Sequence, residues 1–145
     1  MKKVFLFFAL TISMVGISNA QTKGSTLGLR LGYEDSDISY QHPLGTDNRL
    51  EIDLGTGKNG NVLTGIYQWK WSLEEIGPGF KFYAGGGASI GKYTAFGLAA
   101  VAQGGIEYNF TIPWQMSLDF TPRLFINSGM GLASNEARLS IRYRF

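Results

Sequence analysis

Eight stretches of this chain alternate apolar and polar positions with a period of two. A strand sends successive side chains to opposite faces, so each stretch predicts an extended segment with one greasy and one wet face. The last, residues 137–145, sets Ala137, Leu139, Ile141, Tyr143 and Phe145 against Arg138, Ser140, Arg142 and Arg144. Residues 26–34 set Leu27, Leu29, Leu31 and Tyr33 against Gly28, Arg30, Gly32 and Glu34. Residues 38–44 keep Ile38, Tyr40 and Leu44 in phase, and residues 49–55 set Leu50, Ile52 and Leu54 against Arg49, Glu51 and Asp53. Residues 61–73, 80–90, 96–110 and 114–124 continue the pattern, with Lys70, Lys81, Glu107, Asp119 and Arg123 on their polar faces. Turn-forming clusters separate all eight: 34–37, 45–48, 57–60, 74–79, 91–94, 111–113 and 127–135. No segment sustains a helical period, and the pattern leaves no linker and no second domain.

The polarity of the alternation decides which face is inside. A soluble lipocalin-type barrel keeps an apolar interior and a wet exterior. Here the polar faces carry eight cations (Arg30, Arg49, Lys70, Lys81, Arg123, Arg138, Arg142, Arg144) and five anions (Glu34, Glu51, Asp53, Glu107, Asp119). Between them lie Gly28, Gly32, Gly85, Gly87, Gly97 and Gly105, which are expected to leave room for long side chains. An eight-stranded barrel has an interior just wide enough to be filled by side chains. The charged faces, turned inward, form a salt-bridged plug. Turned outward, they would crowd Trp69, Trp71, Phe80, Phe82 and Phe120 into a lumen too narrow for them. The expected fold is therefore an all-β, eight-stranded antiparallel up-and-down transmembrane barrel with a filled polar lumen. Arg138, Arg142 and Arg144 form its cationic wall, expected to face Glu34, Glu107 or Asp119.

The N-terminus supports the same reading. Lys2 and Lys3 precede an apolar run of about 14 residues, short of the ~20 that a membrane-spanning helix needs. Small residues then lead to a cleavage site between Ala20 and Gln21. Residues 1–20 are thus a secretory signal and residues 21–145 the barrel domain. The whole chain has 13 Lys+Arg and 11 Asp+Glu; without Lys2 and Lys3 the two signs balance at 11. Net charge thus gives no support to a nucleic-acid partner. The chain has no cysteine, which excludes disulfides and a lipoprotein-type signal.

With an even strand count both termini share one end. Trp69, Trp71, Phe80, Tyr108, Phe110, Trp114, Tyr143 and Phe145 then gather near that end as an interfacial girdle. Tyr33, Tyr93, Phe96 and Phe125 fall near the other. The 74–79 connection is the least secure point of the register.

On these strands the chain resembles the small outer-membrane β-barrels of the OmpA transmembrane domain, OmpX and opacity type. Residues 39–44, 105–110 and 142–145 also look like segments of uncharacterised outer-membrane barrel proteins. Leu139, Ile141, Tyr143 and Phe145 match that family's C-terminal assembly signal. The resemblance implies integral residence in the bacterial outer membrane, in contact with its lipid and lipopolysaccharide. It also implies folding by the β-barrel assembly machinery. It implies no catalysis and no cofactor.

Catalytic chemistry is thin. His42 is the only histidine, so a His-rich metal cluster is excluded. No serine and carboxylate are obviously placed to join it, as a lipid-modifying enzyme would need. Asp35 and Asp37 could form a calcium loop but are expected to be a solvated turn, and Glu74 and Glu75 another. The glycines at 85–87 lack the lysine and helix of a phosphate loop. Two features are less bland. Pairing of strands five and six would set Ala84, Gly86 and Ala88 beside Ala100, Ala102 and Gly104, a smooth lipid-facing patch open to self-association or another membrane protein. The formal excess of three cations in the lumen raises the alternative of a narrow anion-selective pore. Only the 127–135 connection is long enough to form a sizeable outer loop. The leading expectation is a structural or interaction barrel.

Overall fold

The computed structural model describes residues 24–33, 35–57, 60–92, 95–127 and 131–145. Ala20, Gln21, Glu34 and Tyr93 lie outside them. Eight antiparallel strands close into a barrel in simple sequence order: β1 (Thr26–Leu31), β2 (Asp35–Pro43), β3 (Asn48–Gly57), β4 (Gly60–Ser72), β5 (Phe80–Lys92), β6 (Phe96–Asn109), β7 (Trp114–Phe125) and β8 (Leu132–Arg144). β8 pairs back onto β1, with Leu29 opposite Ile141 and Leu27 opposite Tyr143, so no strand edge is left open.

The polar faces point inward. Arg30, Glu51, Asp53, Asp119, Arg138 and Arg142 are buried, whereas Leu29, Ile52, Leu118, Phe120 and Ile141 are exposed on the outer wall. Among the described residues the buried hydrophobics are just Ile66, Tyr83, Ala99 and Val101. This molecule is polar in its interior and apolar on its surface, the inverse of a water-soluble core.

Two strands begin earlier than the alternation suggests. β2 starts at Asp35, because Asp35, Ser36 and Asp37 pair with Gly57, Thr56 and Gly55. The expected solvated turn is thus strand, and Asp37 is buried in the lumen. β8 starts at Leu132, with Asn135 and Glu136 paired to Pro122 and Thr121. The long outer connection shrinks to 126–131, closed by a Phe125 N–H to Gly131 carbonyl bond of 3.0 Å. At the opposite end, the 73–79 connection is a compact turn. Its closing bonds run from Leu73 N–H to the Phe80 carbonyl (3.0 Å) and from Ile76 N–H to the Leu73 carbonyl (3.0 Å). Gly79 supplies a φ of +92° that other residues rarely adopt.

The inward glycines do two different things. A Cβ on Gly32 would sit 2.7 Å from Glu136 Oε2, and one on Gly55 2.5 Å from Asp37 Oδ1, so these positions do make room for long side chains. Gly28 and Gly87 do not. A Cβ there would run into the neighbouring backbone, at the Ile141 and Gly65 carbonyls respectively. These glycines let adjacent strands curl tightly, as a small closed barrel requires.

The aromatic girdle forms at the end that holds the termini. Ring pairs Tyr67–Trp69 (4.8 Å between centroids), Trp71–Phe82 (5.6 Å), Phe80–Tyr108 (4.7 Å), Tyr108–Phe110 (4.7 Å) and Trp114–Tyr143 (5.6 Å) follow one another from β4 round to β8.

Candidate functional site

The lumen is organised around Arg30, which the inward phase of β1 places at its centre, fully buried. Its Nη1 donates to Asp53 Oδ2 on β3 at 2.6 Å, and its Nη2 donates to Asp119 on β7 and to Thr121 Oγ1 at 2.8 Å. Tyr83 Oη donates to the other oxygen of Asp119 at 2.8 Å. Arg142 reaches three strands, donating to Ser39 Oγ (3.1 Å), Ser117 Oγ (2.8 Å) and Glu51 Oε2 (3.1 Å). Planar guanidinium groups with several fixed donors are suited to such bridging, and the pairs hold charges that would otherwise be costly to bury.

Toward the outer end, Arg138 pairs with Asp37 and lies 3.6 Å from Glu136. Toward the terminal end, Arg49 pairs with Glu107 at 2.6 Å, donates to Gln68, and places its guanidinium carbon 4.8 Å from the Tyr83 ring centroid. Gln68 continues to Gln103, which donates to Glu51 at 3.0 Å. Arg123 lies 3.5 Å from Thr64 Oγ1.

The C-terminal wall pairs differently from the expectation that it faces Glu34, Glu107 or Asp119. Arg138 takes Asp37, Arg142 takes Glu51, and Arg144 takes amide and carbonyl oxygens: Asn109 Oδ1 at 3.2 Å and the Phe110 carbonyl at 3.1 Å. Asp119 instead belongs to Arg30, and Glu107 to Arg49. Glu34 lies outside the described residues. Asp37 and Glu136 are additions that the sequence reading missed. Extending the inward phase of Ser39 and Gln41 back by two positions reaches Asp37, and extending that of Arg138 back by two reaches Glu136.

Lys70, Lys81 and Arg144 are less buried and stand at the terminal-end mouth, around a cavity of about 190 Å³ that Arg49, Glu107 and Gln115 also line.

His42 faces outward at the same end. Against expectation, a serine does approach it: Ser25 Oγ is 3.4 Å from its Nδ1, and Tyr40 Oη lies 3.2 Å from that same nitrogen. Ser25 is buried, and no carboxylate bonds to His42 among the described residues, so the cluster lacks the third member of a nucleophilic triad. No group of potential metal ligands occurs among the described residues.

On the outer wall, Ala84 pairs with Gly104, Gly86 with Ala102, and Ala88 with Ala100. Gly65 of β4, opposite Ala88, extends this low surface. Leu139, Ile141 and Tyr143 project outward from β8, and Phe145 ties the chain end to β1, its N–H donating to the Ser25 carbonyl at 2.9 Å.

No protein-family model and no curated protein matches this sequence. Solved structures do. A de novo designed transmembrane β-barrel aligns with a TM-score of 0.66 at 15% identity, over 86% of this chain and 98% of the design. The N-terminal β-barrel domain of Pseudomonas aeruginosa OprF aligns with a TM-score of 0.66 at 15% identity, over 84% of this chain and 96% of that one. Neisserial surface protein A gives 0.61 at 12% identity, over 84% and 94%. At such low identity the likeness establishes the fold. Closed topology, apolar wall and ion-paired lumen define an eight-stranded barrel of the transmembrane type.

Proposed function

We propose that this chain is a small integral protein of the bacterial outer membrane with a structural or interaction role and no catalytic activity. The carrying observation is the inverted distribution of polarity: Arg30, Arg138 and Arg142 are fully buried, while Leu29, Leu118 and Ile141 stand on the surface. Water would solvate this wall poorly, and a hydrocarbon layer would match it. The N-terminal signal would deliver the chain across the inner membrane. The assembly machinery would recognise Leu139, Ile141, Tyr143 and Phe145, and lipid and lipopolysaccharide would surround the wall. The outer connections are short, which leaves the wall as the larger surface for meeting a partner. The patch of β4–β6 is the place where a second transmembrane element, or a second copy, can come closest.

The anion-pore reading is weaker, because the network around Arg30 and Arg142 fills the lumen and its members would have to part for an ion to pass. An enzyme reading lacks an acid for His42 among the described residues. Membrane fractionation with heat-dependent gel migration tests the leading reading. The expected result is a compact, faster band in the unheated outer-membrane fraction and a slower one after boiling. Recovery in the soluble periplasmic fraction would overturn it.

A further inference from the structure

The lumen's charges are unevenly spread along its axis. Five arginines (Arg30, Arg49, Arg123, Arg138 and Arg142) share the interior with Asp37, Glu51, Asp53, Glu107, Asp119 and Glu136, so that part is close to balanced. Lys70, Lys81 and Arg144 are added at the terminal-end mouth, and none of them forms an ion pair with a carboxylate among the described residues. Glu107, the carboxylate on the cavity wall, is taken by Arg49 at 2.6 Å. Lys70 stands in the field of two like charges, Arg49 and Lys81, which Glu107 and Asp47 oppose. A concave site with one sign of charge and low-dielectric walls concentrates counter-ions.

The cavity wall is also built to donate. Arg49 is 4% exposed, and its Nη2 has no hydrogen-bond partner although its Nε and Nη1 are engaged. Arg144 is held in place by Asn109 and by the Phe110 carbonyl, so its guanidinium is positioned before any ligand arrives. Two acceptors without a hydrogen-bond partner stand on the same wall: Gln115 Oε1, and Glu107 Oε2, which is ion-paired to Arg49. Several cationic donors that share one cavity with an uncharged amide acceptor match an oxyanion that keeps one hydroxyl. Carboxylate offers no such hydroxyl; hydrogen phosphate and the monoanion of a phosphate monoester do.

We propose that the terminal-end mouth of the barrel is a phosphate-binding site, formed by Arg49, Lys70, Lys81 and Arg144 with Gln115 as the acceptor. The buried Arg30 network lies deeper in the lumen, and binding at the mouth needs no conduction. Phosphate could reach it as the free ion or as the head of a monoester. The site depends on the barrel fold and not on which membrane holds it, so its test is separable from fractionation.

The test is amide NMR of the labelled barrel in non-ionic detergent at fixed ionic strength, titrated with inorganic phosphate, glycerol phosphate or acetate. Inorganic phosphate is expected to give saturable shifts at Lys70, Lys81, Asn109 and Gln115. Lys70→Gln with Lys81→Gln should weaken binding at least tenfold, and Lys92→Gln, at the far end of β5, should leave it unchanged. Tighter binding of glycerol phosphate would assign a monoester, and tighter binding of inorganic phosphate the free ion. Acetate shifts equal to those of phosphate, shifts that never saturate, or shifts that persist in the double variant would each overturn the proposal. If the double variant does not fold, Lys81→Gln alone and the wild-type comparison of phosphate with acetate still decide.

Discussion

Arg30 and Asp119, 89 positions apart, meet in the centre of the lumen, where the second terminal nitrogen of the same guanidinium is engaged by Asp53 at 2.6 Å. One side chain thus ties β1 to β3 and β7 across the barrel. Removing a partner from a buried ion pair leaves an uncompensated charge and costs about 3–5 kcal/mol, whereas replacing the whole group with neutral residues is often far milder. Arg30→Met should therefore lower unfolding free energy in lipid vesicles by about that amount. Combining it with Asp53→Asn and Asp119→Asn should restore much of the loss. Equilibrium urea unfolding followed by tryptophan fluorescence measures both. If the triple variant were the least stable of the set, the ion pairs would be net stabilising and this argument would fail.

The inverted polarity makes a second prediction. Ile52 is exposed at mid-strand on β3 and points outward, between Tyr40 and Gly65. An arginine at the bilayer midplane of a barrel costs about 2–4 kcal/mol. Ile52→Arg should show that loss in vesicle-based unfolding, while Tyr33→Arg, at a site 95% exposed beyond the end of β1, should change stability little. In a water-facing wall the two substitutions would behave alike.

The glycines separate by what lies beside them. Gly28→Ala and Gly87→Ala would drive a methyl group into a neighbouring carbonyl, and refolding yield, read from the fast gel band, should collapse. Gly65→Ala and Gly104→Ala have nothing within 4 Å of the added carbon and should refold as well as the parent. Equal yields across all four would contradict the tight curl of the strands.

Much of this architecture is legible in the sequence, because period-two alternation reports directly which side of a strand faces which solvent. The signal weakened where composition spoke for a turn. Asp35, Ser36 and Asp37 look like loop residues, and it is pairing with Gly55, Thr56 and Gly57 that makes them strand. The start of β8 was hidden in the same way behind Ser134 and Asn135. The partners of Arg138, Arg142 and Arg144 were not legible at all, since contacts across a lumen depend on strand stagger, which no single strand encodes. Ser25 beside His42 likewise depends on the β1–β2 register, which sets Thr26 opposite Gln41.

The smooth patch on the outer wall can be tested directly, because the chain contains no cysteine and any introduced thiol is unique. Gly86 and Ala102 are paired across β5 and β6, and both are exposed in the middle of the apolar band. Small side chains there let a second transmembrane wall approach closely enough for dispersion contacts to accumulate. Single variants Gly86→Cys and Ala102→Cys, oxidised in intact outer membranes, should give a disulfide-linked dimer or a heavier adduct on non-reducing gels. Leu118→Cys, on the neighbouring β7 and flanked by the bulky Ile106 and Leu139, should stay monomeric. Monomer bands from all three would remove the patch as a contact surface and leave ordinary lipid as its neighbour. Crosslinking that is strong at Leu118 and absent at Gly86 would move the contact to the β6–β8 face.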